Sequence, residues 1–152
     1  MKNPLLYGMM SSLLFVASAV SQPQGSIDKD TDNLSATYAE YTAYLEIVTH
    51  GIKGDDRKEL RSKFEKLKDE CMFFALLLAS EGRTKEMSVK VTNSRIEMAK
   101  KQMLKEIDNN YANLSILISK HQEAVLKLVQ TPPPIVTEIL QKKAKEVERK
   151  KG

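Results

Sequence analysis

Side chains do chemistry in company, and this sequence brings few reactive ones together. It has two histidines, His50 and His121, and they lie about 70 residues apart. Neither has a second ligand at metal-binding spacing, and no H-E-x-x-H, C-x-x-C or G-x-S-x-G occurs. His50 falls in the last turn of a helix, where a cation suits the dipole. His121 falls on an apolar seam, as a satisfied core histidine would. The single cysteine, Cys71, sits on another apolar seam, which predicts a buried, inert thiol that forms no internal disulfide.

Asp28, Asp30 and Asp32 repeat the spacing that opens a calcium-binding EF-hand loop. The rest of the motif fails: Asn33 stands where the turn glycine belongs, Ala39 where the bidentate glutamate belongs, and Glu40 comes one residue late. The run instead predicts an acidic helix N-terminus with Asp32 or Ser35 as its cap. Asn33-Leu34-Ser35 and Asn113-Leu114-Ser115 match the N-glycosylation acceptor pattern, which is short enough to arise by chance. No Gly-rich loop could cradle a phosphate. The expectation is therefore no catalytic residue, no metal, no cofactor and no enzyme.

Two surfaces could meet a partner. Arg83, Lys90, Lys101 and Lys105 fall within about 60° of one another on one helix, opposite its core face. From Arg83 to Lys105 there are seven basic residues and two acidic ones, Glu86 and Glu97. Such a stripe can meet an anionic surface, although no aromatic residue accompanies it to stack bases. The second surface is the end of the preceding helix, Cys71 to Ala79, which is apolar all round. Met72, Phe73 and Leu76 extend its apolar side beyond one seam. The cover is either a later part of the chain, with Ile135, Val136, Ile139 and Leu140, or another molecule.

The elements that carry these residues follow from spacing. Leu34, Tyr38, Tyr41, Leu45, Val48 and Ile52 form a four-three seam on a first helix from about Leu34 to His50, with Gly51 as its stop. Leu60, Phe64, Leu67, Cys71, Phe74 and Leu78 do the same on a second helix, which starts at Asp55 or Asp56 and ends before Gly82. The stretch Thr84 to Gln130 is free of Gly and Pro, with Val89, Ile96, Met103, Ile107, Leu114, His121, Val125 and Leu128 on one face. Read as continuous, it is one long central helix of roughly 70 Å. Asp108-Asn109-Asn110 is its weakest place, and a break there gives four antiparallel helices instead. Pro132-Pro133-Pro134 ends the stretch, and a short helix from Ile135 to about Arg149 follows, with a basic tail.

The N-terminus reads as a secretory signal: Lys2, an apolar run from Leu5 to Val16, then Ala17-Ser18-Ala19 or Ala19-Val20-Ser21 as a cleavage site. The run is short for the roughly 20 residues that span a bilayer. No cysteine follows it to carry a lipid. The expected organisation is a signal at 1–19, a flexible polar leader at 20–33, a helical bundle at 34–130, and a Pro-rich spacer with a short C-terminal helix at 131–152. With 41% hydrophobic residues, 29% charged residues and a net charge of +4, the chain can build a core, and its charge argues only weakly for nucleic acid. The sequence thus predicts an all-α antiparallel bundle of three or four helices, exported to a bacterial periplasm or secreted. Its expected role is binding another macromolecule, with a protein as the leading partner and an anionic surface as a further one. The alternative is a carrier that holds an apolar ligand between its helices.

Overall fold

Asp28 decides where the first helix begins. Its carboxylate accepts from the Thr31 amide at 2.9 Å and from the Thr31 hydroxyl at 2.7 Å, which caps the helix a turn earlier than Asp32 or Ser35 would. The computed structural model describes residues 26–152. The expected signal and the first part of the leader lie outside the described residues. Within them, α1 spans Lys29–Gly51 and a 3-10 turn at Asp55–Arg57 leads into α2, Lys58–Ala79. Then come α3, Lys85–Glu106, a 3-10 turn at Tyr111–Asn113, α4, Leu114–Gln130, and α5, Pro134–Lys151. The described chain is an all-α bundle. The helix start at Lys29 corrects the expected leader, whose last residues belong to α1.

Hydrogen bonds between helices give their directions. Ser35 bonds to Ala75 and Arg61 reaches the Ile52 carbonyl, so α2 runs antiparallel to α1. Arg95 meets Asp32, and Lys100 meets Glu46 further along, so α3 runs with α1. Tyr44 bonds to Gln122 and Tyr38 to the Leu128 carbonyl, so α4 runs back against α1. α1 is therefore the central helix, in contact with α2, α3 and α4.

That position explains its composition. Ser35, Ala39, Thr42 and Ala43 are fully buried, and their small side chains let neighbouring helices approach. Tyr38, Tyr44, Leu45, Ile47 and Val48 fill the remaining sides. A narrow four-three seam on α1 predicted Tyr38, Leu45 and Val48 but missed the burial of Tyr44 and Ile47. Gly51 is the last residue of α1, and the space beside it is already filled: a Cβ there would collide with the Leu114 side chain and come within 3.1 Å of the Tyr111 ring.

The long third helix is not continuous. Asp108 and Asn109 both take the left-handed conformation, with φ of 54° and 53°. Asp and Asn tolerate that conformation better than other non-glycine residues, so the chain can turn there without Gly or Pro. The Asn109 amide donates back to the Leu104 carbonyl at 2.8 Å, and the Asn110 side chain accepts from the Ala112 amide at 3.0 Å to start the next turn. The register before the break also differs from expectation. Val89 is 40% exposed, whereas Ser88, Thr92, Ile96 and Met103 face inward. After the break Leu117, His121 and Val125 form the buried row.

Pro134 takes the first position of α5, where a missing amide costs nothing. Val136 and Ile139 enter the same core as Phe73, Phe74 and Leu77, and α5 packs on α2. Lys142 and Lys143 then reach Glu81 at 3.3 and 3.6 Å. Burying two such side chains contributes about 1.5–3 kcal/mol each, less the cost of ordering the helix. Deleting residues 131–152 should lower the unfolding free energy by about 2–4 kcal/mol and raise binding of an apolar dye. Unchanged denaturant melts and dye signal would show that α5 covers nothing.

Candidate functional site

α3 has two faces with different fates. Its inner face carries Ser88, Thr92, Arg95 and Ala99 at four-three-four spacing, turned toward α1 and α2. Asp32 is the anchor. One carboxylate oxygen pairs with Arg83 at 2.8 Å and the other with Arg95 at 2.8 Å. Arg95 also donates to the Ser35 hydroxyl at 3.3 Å, and Ser35 donates to the Ala75 carbonyl at 2.8 Å. Ser88 shares its hydroxyl between the Thr84 and Ala79 carbonyls. Burial alone would raise the Asp32 pKa, but the hydrogen bonds and charges of the two arginines outweigh it and hold the carboxyl below its ordinary range.

Arg83 is therefore not part of an outward stripe. Its side chain is only 11% exposed and is committed to Asp32. Lys90, Lys101 and Lys105 do lie exposed on the outer face. Among the described residues none of the three makes an ion pair, whereas Lys100 on the same helix is held by Glu46 at 3.0 Å. Two apolar side chains stand beside them, Met87 at 41% and Met98 at 70% exposed. Exposed methionine among unpaired lysines makes this face amphipathic toward solvent.

The other expected surface is largely covered. Phe73 is buried in the core, with its ring 5.7 Å from that of Phe74, and Met72 packs against the same cluster. Leu76 stays half-buried. The apolar end of α2 is thus divided between the core and α5. Met72, Phe73 and Leu76 are not gathered with the lysines of α3 into one site.

Cys71 is fully buried, and burial, reinforced by the Glu70 charge, pushes its thiol up to about 12. His121 is 5% exposed, and its Nε2 has no hydrogen-bond partner. An open groove of about 350 Å³ runs between α1 and α3. It is lined by the apolar Ala36, Met98, Ala99 and Met103 and by the polar Glu40, Arg95, Gln102 and Glu106. Asn113, in one of the two glycosylation patterns, donates its amide to the Ile107 carbonyl at 3.2 Å. Among the described residues no group of three or more His, Cys, Asp or Glu is placed to share a metal ion, and no helix is long and apolar enough to cross a membrane.

Nothing in the residue pattern marks Asp32 directly as an anchor. The small-residue spacing Ser88, Thr92, Ala99 is the signal that could have exposed it, because small side chains mark where helices approach closely. No protein-family model matches the chain, and no curated protein or solved structure matches it either.

Two measurements check this geometry. Asp32→Asn leaves two partly buried guanidinium groups without their carboxylate and should cost about 1–3 kcal/mol at pH 7. Because the folded pKa lies below the unfolded value of about 3.9, the Asp32 contribution is present above that pH and is lost as pH falls below it. An Asp32→Asn melt equal to the wild type at pH 7 would remove the anchor. The native Cys71 thiol should resist alkylation at pH 8 and react after denaturation, whereas rapid labelling of the folded protein would contradict its burial.

Proposed function

We propose that this chain is an exported, non-enzymatic binding protein that grips an acidic protein surface with the outer face of α3. One observation carries this: Lys90, Lys101 and Lys105 are exposed and unpaired among the described residues, beside exposed Met87 and Met98. Lys63 closes an ion pair with Glu59 one turn before it at 3.1 Å, whereas Lys90 and Lys101 close none with Glu86 and Glu97 at the same spacing. Here three cations line one edge, and methionine offers adaptable apolar contact beside them. Unpaired charges of one sign speed encounter with a partner of the opposite sign, and apolar neighbours slow its release. The export part of the proposal rests on the N-terminal sequence alone.

The carrier alternative has less to draw on. The groove between α1 and α3 is open and is lined in part by Glu40, Arg95 and Glu106, and charges in a lining disfavour a purely apolar ligand. Leu76, half-buried at the α2 end, supplies too little apolar area for a partner by itself.

The test pairs two variants. Lys90→Glu/Lys101→Glu/Lys105→Glu should fold with an unchanged melt, since all three positions are exposed. It should lose binding to immobilised poly-glutamate and to any protein the wild type captures from an extracellular extract. The wild-type affinity should fall steeply with added salt. Leu76→Asp should bind like the wild type. Retention by the triple variant, or salt-independent capture, would contradict the proposal.

A further inference from the structure

His121 sits where a neutral ring fits and a charged ring does not. It is 5% exposed, its Nε2 has no hydrogen-bond partner, and its ring packs 5.3 Å from Tyr44 and 6.4 Å from Tyr41. A neutral imidazole leaves one nitrogen bare, which the site accepts. An imidazolium must donate from both nitrogens, and this site supplies no acceptor at Nε2. The charged or titratable groups facing it are Glu40, Tyr41 and Tyr44 from α1, Glu106 from α3, and Lys120 on its own helix. Glu106 is taken by Lys120 at 2.9 Å, and Glu40 lies exposed at the α1 surface. Neither carboxylate is hydrogen-bonded to the ring, Glu106 being held by Lys120 and Glu40 standing in solvent.

α4 is bounded by a break in the helical chain at each end. It follows the left-handed pair Asp108 and Asn109 and precedes Thr131 and two prolines. It holds the bundle by one buried row, Leu117, His121 and Val125, by the partly buried Leu114, Leu128 and Val129, by two tyrosine hydrogen bonds, Tyr44 to Gln122 at 2.6 Å and Tyr38 to the Leu128 carbonyl at 2.9 Å, and by the Lys120–Glu106 pair. His121 is in the middle of that row.

We propose that α4 is an acid-released latch, and that protonation of His121 unseats it from α1. The ring leaves its tyrosine pocket for the solvent side, where Glu40 can meet its charge, and takes the buried row with it. Burial, set against the pull of Glu40 and Glu106, keeps His121 below its ordinary value. The closed latch is therefore fully stable above pH 6.5 and weakens as pH falls below it. Opening uncovers Tyr41, Tyr44 and the inner side of α4, an apolar surface absent at neutral pH.

The experiment is residue-resolved amide exchange by nuclear magnetic resonance, normalised for intrinsic rates, between pH 7.5 and pH 5. His50→Gln serves as the background, so that one imidazole remains of the two in the chain. Protection of α4 amides from Leu117 to Leu128 should fall by about tenfold per pH unit below 6.5, until His121 itself titrates. Amides of Tyr38 to Leu45 should change far less. His121→Phe keeps the ring and removes the proton, and should abolish the pH-dependent loss. Should that variant fail to fold, the His121 ring titration in the His50→Gln protein decides: a midpoint below 6.5 together with selective loss in α4 supports the latch. A midpoint at or above 6.5, uniform loss across helices, or the same loss in His121→Phe overturns it.

Discussion

A helix enclosed on three sides can carry almost no charge there and little bulk, and α1 obeys that constraint. Ser35, Ala39, Thr42 and Ala43 are fully buried and small, so three other helices can come close to its backbone. Every polar group drawn inside then needs a partner. Ser35 finds the Ala75 carbonyl, Thr42 finds its own Tyr38 carbonyl, and the two tyrosine hydroxyls reach across to α4. The Ser35 bond ties α1 to α2 and the two tyrosine bonds tie it to α4, so they fix where those helices lie around α1 as well as stabilising it. Burial pushes the Tyr44 hydroxyl up to about 12, so it remains a donor across the ordinary pH range.

The same enclosure sets the two faces of α3. Its inner face must meet the N-terminal half of α1, where Asp32 and Ser35 are polar, so it answers with Arg95, Ser88 and Thr92 instead of aliphatic side chains. Arg83, at the turn before α3, completes the clamp on Asp32. With its polar residues used inward, α3 leaves Lys90, Lys101, Lys105, Met87 and Met98 outward. α3 thus pairs Arg95 and Lys100 with carboxylates of α1 and leaves three lysines on its outer face unpaired among the described residues.

Much of this could be read from the residues, and each failure has a physical cause. Apolar periodicity located α2 with its buried Cys71, Phe74 and Leu78, and placed α5 after the prolines. It named Asp108 to Asn110 as the weak point while favouring continuity, because no Gly or Pro stood there. Two consecutive left-handed Asx residues did the work instead. Periodicity failed wherever the core was polar or small. Ser35, Thr42, Ser88 and Thr92 count as surface residues in such a pattern, so the start of α1 was set too late, Val89 was assigned inward, and the organising role passed to the wrong stretch. Arg83 was assigned to a solvent stripe because a charge gives no sign, in sequence, of a carboxylate some fifty residues away. The outward lysines were legible because nothing in the fold competes for them.

The central claim is that α1, and not the longer stretch after Thr84, is the element around which the bundle forms. Peptide-resolved hydrogen exchange at neutral pH tests it directly, since the slowest amides open only with global unfolding. The account predicts that Tyr38 to Val48 exchange slowest of all, with α2 from Cys71 to Leu78 next, and with α3 and the two ends of α4 faster. Slowest exchange in α3 or α4, with α1 opening earlier, would contradict it.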